Sequence, residues 1–582
     1  MASQFGAGYG ASVRYHALAV DYDGTIARHG EVDTATLEAL KALKESGRKL
    51  ILVTGRELHE LFGIFKGPPE IFDRIVAENG ALVYRPKTRE EKLLATPPPP
   101  EFANQLRQRG VKPLSIGKVV VATFEPYDTV VLQVIRQLGL ELHVVFNKGA
   151  VMVLPSGTNK ATGLRRALEE LGLSPHNVIG VGDAENDHAF IELCECGVAV
   201  RNALPALKEH CDYVCENSHG AGVAEVIQKL VKDDFTEVEL KLYRYDIALG
   251  AGQDDEPISL PPYGPAVLVT GTSGGGKSTL VTSFLEHLLE KTYQAFVIDP
   301  EGDYPELPSA LVLGDTHHTP SASEIMHALD RPKQSVVANI IGVKLDDRPV
   351  FFQKLLLDLL KLRARTGRPH WIVIDEAHHV LPPTWKASAE MDSANFKQMM
   401  LVTLTPEHLA PTVVRSVDLA IGIGSEAGDM IEQFAQITKS PLPKTSSVDD
   451  EPGAALGWWR GTAETFRFRT LPPETVRRRH VRKYMKGELQ PDQSFYFEGP
   501  NKKLHLRAQN LQLFMQIAEG VDDETWMHHL RRGDYSRWFR RSIKDDELAR
   551  ETERIEHDSE ISPAASREQI REKIEERYTA PA

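Results

Sequence analysis

The chain has 582 residues, too many for one hydrophobic core, so roughly three or four domains are expected. Hydrophobic residues make up 41% and charged residues 26%, an ordinary globular balance, and no apolar run is long enough to suggest a membrane span. The net charge of −14 argues against a broad surface for nucleic acid, while a local basic groove stays open because net charge says nothing about patches.

The N-terminal segment MASQFGAGYGASVRYH lacks a basic stretch followed by an apolar run, so no signal peptide is expected. Cys194, Cys196, Cys211 and Cys215 are too few for a disulfide scaffold and point to a reducing, cytoplasmic setting.

Residues 15–232 alternate short β-branched runs with helical patterns, which reads as an α/β domain. Ala17 to Val20 form an apolar strand with Asp21 and Asp23 at its C-terminal end, the edge at which parallel sheets bind ligands. Two carboxylates two apart can divide attack on phosphorus from proton transfer, although aspartates after strands also serve as turn caps. Next, Asp33 is a plausible N-cap, Leu37, Leu40 and Leu43 share a helix face, and Gly47 can end that helix. A second buried strand, Leu50 to Val53, ends at Thr54 in LILVTGR. Further on, Lys160 opens the helical pattern TNKATGLRRALEEL, and NVIGVGDAENDHAF sets Asp183, Asn186 and Asp187 after another strand.

Taken in this order, these pieces resemble the haloacid-dehalogenase (HAD) phosphatases, most of all the Cof-like subgroup that includes sugar-phosphate phosphatases. AENGA around Asn79 and Gly80, and GVAVRNA around Asn202, belong to the same likeness, which covers about residues 15–232. The resemblance implies a Rossmann-like core and a set of roles. Asp21 is the expected nucleophile, forming an aspartyl-phosphate, and Asp23 the acid and base. Thr54 and Lys160 hold the phosphoryl oxygens. Asp21, the Asp23 carbonyl and Asp183 bind Mg2+, with Asp187 as a ligand or a support. Hard oxygen ligands suit that ion, and a lysine plus a divalent cation compensates attack by one anion on another.

About 105 residues separate Thr54 from Lys160, more than the core needs. An α+β cap is therefore expected near residues 85–152, with KVVVATF and ELHVVFN as strands, and a cap of that kind predicts a small phosphorylated substrate. Arg56, Asn79 and Asn186 are candidates to touch it or to support the loops. The four cysteines read either as a zinc site or as buried, inert thiols where a helix end and two strands fall.

Residues 233–264 read as a connector with a strand or two, rich in turn formers over GAGQDDEPISLPPYGP. A second α/β unit is expected over 265–485. Its strand Ala266 to Val269 leads into GTSGGGKST, where Gly271, Gly276, Lys277 and Ser278 fit the phosphate-loop spacing, and Gly274, Gly275 and Thr279 belong to the same loop. Leu280, Phe284, Leu285, Leu288 and Leu289 line one face of the helix that follows. Glycines there let backbone N–H groups face phosphates at a helix N-terminus; Lys277 meets the β/γ-phosphates of ATP and Ser278 binds magnesium. In HWIVIDEAHHV, Ile372 to Ile374 form a strand, Asp375 holds a magnesium-bound water and Glu376 polarises the attacking water.

AFVIDPEGDY, with Asp299, Gly302 and Asp303, LVTLTPEHLAP and RRRHVRKY resemble the HerA/FtsK-like ATPases over about 262–485. One departure is Leu404, which stands where that family carries a polar sensor glutamine. Arg415 is a candidate arginine finger or a solvated surface residue.

Residues 486–555 read as a small helical domain, in which Leu511, Phe514, Ile517, Trp526, Leu530, Trp538 and Phe539 fall at helical spacing. HHLRRGDYSRWFRR fits either an amphipathic helix pair or a nucleic-acid contact. Residues 556–582 are charged and lack apolar periodicity, which predicts a disordered tail. The whole reads as a phosphatase fused to an ATPase. Two alternatives are a nucleic-acid end-processing kinase/phosphatase and a homo-oligomeric ring that displays phosphatase sites.

Overall fold

The computed structural model describes residues 13–239, 245–252, 254–272, 275–304, 307–315, 317–387, 393–444, 451, 453–473, 484–485, 489, 493–500, 504–543 and 545–578. Gly274 and most of RRRHVRKY lie outside these residues.

The first domain is built on strands β1 (Ala17–Asp21), β2 (Lys49–Val53), β3 (Arg74–Ala77), β4 (Leu82–Arg85) and β5 (Glu90–Leu93). It continues, beyond an insertion holding β6 to β9, with β10 (Val178–Gly182), β11 (Cys196–Ala199) and β12 (Tyr213–Val214). Their order is β12-β11-β10-β1-β2-β3-β4-β5, parallel as far as β3 and antiparallel from β3 to β5. β1 and β10 are buried throughout, the continuous apolar runs of strands covered on both faces. Helix Thr34–Glu45 is capped by the Asp33 carboxylate on the Thr36 N–H and buries Leu40 and Leu43, with Leu37 only partly covered.

The inserted cap begins later than the sequence pattern suggests. β4 runs into a hairpin with β5, whose polar residues extend the core sheet along its edge, so the cap proper starts at helix Pro100–Gln108. It packs that helix and Asp128–Leu138 on strands β6 (Ser115–Ile116), β7 (Val121–Phe124), β8 (Leu142–Asn147) and β9 (Ala150–Pro155), in the order β6-β7-β9-β8. Phe102, Leu106, Val131, Val134, Val151 and Val153 form its separate core.

The second domain takes in the expected connector. β13 (Ile247–Ala251) and β14 (Pro257–Leu260) join β15 (Val267–Gly271), β16 (Ala295–Asp299), β17 (Ala310–Leu313), β18 (Ser335–Asn339), β19 (Trp371–Ile374), β20 (Met399–Thr403), β21 (Leu419–Ile423), β22 (Ala454–Trp459) and β23 (Phe466–Thr470) in one sheet. The order is β14-β13-β23-β22-β21-β15-β20-β19-β16-β18-β17; the stretch from β21 to β17 is parallel. Leu280, Phe284, Leu285 and Leu288 of helix Lys277–Glu290 are buried, and Leu289 is partly so.

The C-terminal part is mainly helical around a two-stranded ribbon, β24 (Phe495–Phe497) with β25 (Leu506–Ala508). Trp526, Trp538 and Phe539 lie in its core, so they are not surface platforms for nucleic-acid bases. The tail expected to be disordered is instead ordered: Pro563–Tyr578 is a helix whose Ser566, Ile570, Ile574 and Tyr578 are buried. Positions 566, 570, 574 and 578 recur every four residues, a narrow stripe hidden among charges. Ser566 Oγ accepts a hydrogen bond of 2.9 Å from the Trp526 indole.

The two α/β domains meet through the N-terminal edges of their sheets. Arg14, His176, Asn177 and Glu195 stand before β1, β10 and β11; Tyr263, Tyr293, Gln294, Arg368 and His370 stand before β15, β16 and β19. Buried Glu195 pairs with Arg14, lies 2.6 Å from His176 Nδ1, and accepts from the Tyr293 hydroxyl at 2.9 and 3.0 Å. The rings of His176 and Tyr293 stack 3.7 Å apart, and Arg368 donates 2.7 Å to the Gly172 carbonyl.

Candidate active sites

Four elements of the first domain bring charge to one point. Asp21 ends β1, Asp183 follows β10, Asp187 closes the turn after it, and Lys160 is the first residue of helix Lys160–Leu171. Asn159 caps that helix through a reciprocal capping box with Thr162, which fixes where Lys160 begins. Oxygens of Asp21, Asp183 and Asp187 lie within 4.8 Å of one another. Lys160 Nζ donates to Asp21 Oδ1 at 2.6 Å and to Asp187 Oδ1 at 2.5 Å, with all three side chains buried.

Burial, then the neighbouring Asp187, pushes the Asp21 carboxyl above the usual range, against the pull of Lys160. Burial works against the Lys160 charge, but Asp187 and Asp21 outweigh it and hold the ammonium above its ordinary range. Three carboxylates this close need a concentrated positive charge, and an all-oxygen set of this kind fits a hard divalent cation. Both Asp187 oxygens are engaged: beside the bond from Lys160, the second accepts the N–H groups of Asp183 (2.8 Å) and Ala184 (2.9 Å).

Asp23 sits at the rim, gripped by Arg56 through two bonds of 2.6 and 2.8 Å. Gly24, at φ 89°, is a position only glycine can hold, since a Cβ there would lie 2.2 Å from Asp183 Oδ2. Thr54 is buried at the end of β2, its backbone N–H bonded to the Val76 carbonyl. Asn79 is buried with φ 53°; its amide oxygen accepts from Asn186 Nδ2 at 3.1 Å.

Further neighbours complete the site, Asn202 and Glu78 from segments in the sequence likeness and the others without a signal of their own. Thr25 donates to Asp183 Oδ1 at 3.3 Å, and His219 Nδ1 lies 2.9 Å from the Gly24 carbonyl. Asn202 also donates to that carbonyl, at 2.8 Å. Glu78 accepts the N–H groups of Lys118, Val119 and Val120 and so ties cap to core. From the cap, Lys148 reaches Asp183 Oδ2 at 2.7 Å. The thiols do not gather into a metal site: Cys194 and Cys215 each donate to a backbone carbonyl, and among the described residues the aspartate group alone has metal-ligand spacing.

In the second domain, Gly271 ends β15 and Gly276, at φ 105°, turns the chain into helix Lys277–Glu290. Lys277 Nζ donates to the Gly271 and Thr272 carbonyls at 2.8 and 3.0 Å. Gly275, Ser278 and Thr279 are half-buried beside it. Asp375 follows β19 and is buried; Glu376 has φ 39° and ψ 52°, strained for a side-chain-bearing residue. β20 lies between the two strands and ends in Thr403, whose hydroxyl is 3.4 Å from His378 Nδ1. Leu404 contributes its carbonyl to the Gly271 N–H at 3.1 Å. Asp299, on β16, accepts the N–H groups of Asp303 and Tyr304, and burial followed by Asp303 pushes its carboxyl up to about 7. Arg415 is exposed and precedes β21, at the sheet edge away from this chain's phosphate loop.

Sequence comparison matches the haloacid dehalogenase-like hydrolases over residues 18–109 and 120–227, and an AAA ATPase domain over residues 259–405. A phosphoglycolate phosphatase from Methanothermobacter thermautotrophicus is 32% identical over 231 residues, which are 37% of this chain and 98% of that protein. One from Methanobrevibacter smithii is 28% identical over 232 residues, with the same shares of each chain. A solved haloacid dehalogenase-like hydrolase from Bacteroides thetaiotaomicron is 20% identical, covers 37% of this chain and 99% of its own, and has a TM-score of 0.33. The first domain thus matches nearly the whole length of these phosphatases, and the ATPase domain is an addition to it. No helix among the described residues is long and apolar enough to cross a membrane.

Proposed function

The chain belongs to the haloacid dehalogenase-like hydrolases, and on that premise we propose that it is a magnesium-dependent phosphomonoesterase for a small phosphorylated metabolite, joined to an ATP-hydrolysing domain. One observation carries the reading: Asp21 at the end of β1 shares Lys160 with Asp187 and lies within a ligand's reach of Asp183.

In this reading Asp21 attacks phosphorus and the ester oxygen departs. Asp23, held at the rim by Arg56, protonates that oxygen and then takes a proton from the water that releases phosphate. Lys160 and Thr54 bind the phosphoryl oxygens. Mg2+, when bound, supplies positive charge at the phosphoryl group; Asp21, Asp183 and the Asp23 carbonyl would hold it. Asp187, with both oxygens engaged, orients Lys160 and the Asp183 loop. Arg56 and Asn79 then act by supporting loops, Arg56 through Asp23 and Asn79 through Asn186. The relatives' activity on phosphoglycolate makes a small phosphorylated carboxylic acid the first substrate to try.

For the second domain, Gly271 to Thr279 would cradle the phosphates of ATP, with Lys277 on the β/γ-phosphates and Ser278 and Asp375 on magnesium. Glu376 would polarise water. The Asp299–Asp303 turn supports a HerA/FtsK-like reading, and with it a ring of copies.

The test is a panel of small phosphomonoesters, including 2-phosphoglycolate and sugar phosphates, against phosphopeptides, with and without chelator. Magnesium-dependent turnover of a small ester is expected. Preference for a phosphopeptide over every small ester, or full activity in excess chelator, would contradict the reading.

A further inference from the structure

From the cap, Lys148 reaches the acidic cluster itself. β8 and β9 are joined by a two-residue turn, Lys148 (φ 50°) and Gly149 (φ 85°), both in the left-handed region that a tight hairpin of this kind requires. The turn places Lys148 at the tip of the cap sheet. Its Nζ donates to Asp183 Oδ2 at 2.7 Å and to the Asp23 carbonyl at 3.3 Å. These are two of the oxygens that the proposed function gives to magnesium. One ammonium and one divalent cation cannot share them, so Lys148 has to point elsewhere when the cation is in place.

Three cationic side chains stand over this site, and they are not equivalent. The Lys160 side chain is 1% exposed and fixed between two carboxylates. Arg56 is held by both oxygens of Asp23. Lys148 is 45% exposed, hangs from the cap on a flexible stem, and among the described residues has its one salt bridge to Asp183. In the proposed function the phosphoryl group meets Asp21 and Lys160 on the core side, which leaves the cap side, where Lys148 stands, for the departing part of the substrate.

We infer that Lys148 is a specificity-determining residue: its ammonium pairs with a second anionic group, a carboxylate close to the ester oxygen, on the leaving part of the substrate. This rests on the phosphatase reading and names the chemistry it selects. A neutral leaving group gives Lys148 nothing to pair with in the closed cap. A carboxylate gives it a partner, and the cap then closes with no uncompensated charge under it.

The experiment compares 2-phosphoglycolate with ethyl phosphate, an ester of similar size without the carboxylate. In magnesium, the ratio of kcat/KM for the two should fall by about tenfold or more in Lys148→Ala and recover in Lys148→Arg. A second arm does not need turnover: calorimetric binding of the two esters to Asp21→Asn, with and without Lys148→Ala, should show the same loss of preference. An unchanged ratio in both arms overturns the inference. So does an equal gain on both esters, which would make Lys148 a plug on the metal ligands rather than a selector. If the wild type hydrolyses neither ester, the phosphatase reading fails, and the binding arm still decides whether Lys148 selects the carboxylate.

Discussion

At the scale of single residues, the first site is a problem of charge density. Asp21, Asp183 and Asp187 are nearly out of solvent, and Lys160 is the buried cation that Asp21 and Asp187 share. Removing one member of a buried ionic cluster costs about 3–5 kcal/mol, because the partners keep their desolvation penalty without compensation. Lys160→Ala should therefore lower the melting temperature as well as abolish turnover, whereas a purely catalytic lysine would affect turnover alone. Paired melting curves and phosphate release measure this, and an unchanged melting temperature would contradict the cluster. Much of this cluster was legible, because each member follows a strand or opens a helix in a recognisable pattern. Lys148, Thr25 and His219 were not. Their roles come from the docking of the cap and of neighbouring loops, for which the chain holds no local signal. Arg56 is a candidate from the sequence, but nothing in its spacing shows that it grips Asp23.

At the scale of elements, helix boundaries and strand order place the chemistry. The Asn159 capping box sets Lys160 at the helix start, and the glycines of the phosphate loop do the same for Lys277. Those local signals were readable. The tail helix is hard to read in the sequence because Ile570, Ile574 and Tyr578 are few among many charges, and they become a stripe only against a partner surface. Deleting residues 563–582 should uncover Trp526 and remove the partner of its indole. Tryptophan emission should shift to longer wavelength and the C-terminal domain should melt at lower temperature. Unchanged emission and melting would show that this helix does not pack there. The cap boundary is obscured for a related reason: the polar strand β5 looks like a loop until it pairs with β4.

At the scale of the whole molecule, both sites stand at the C-terminal ends of their strands, while the domains join through the N-terminal ends. About 17 Å of strand separates each site from the shared edge. A phosphoryl group therefore cannot pass directly from one site to the other, and any coupling has to travel through the interface. That interface carried no motif; Arg14, His176, Glu195, Tyr293 and His370 are scattered along the chain and meet only on docking. It should be sensitive to acid. Gln294 N–H donates 2.8 Å to His370 Nδ1, which must therefore keep its lone pair. Burial, then His176 and Arg368, holds the His370 pKa well below 6.5. The unfolded chain takes up that proton below about 6.5 and the folded chain does not, so stability falls as pH drops through that value. Wild type should melt at lower temperature at pH 5.5 than at pH 7.5, and His370→Asn should show a smaller difference; an equal difference would contradict this assignment. In the proposed function one chain carries two chemically independent hydrolases. This is tested most directly by measuring phosphate release from a small ester and from ATP in wild type, Asp21→Asn and Lys277→Ala. Asp21→Asn should lose ester hydrolysis and keep ATP hydrolysis; Lys277→Ala should lose ATP hydrolysis by a factor on the order of 100 or more and keep basal ester hydrolysis. Loss of ester hydrolysis in a well-folded Lys277→Ala, or ester turnover by Asp21→Asn within about tenfold of wild type, would contradict the account.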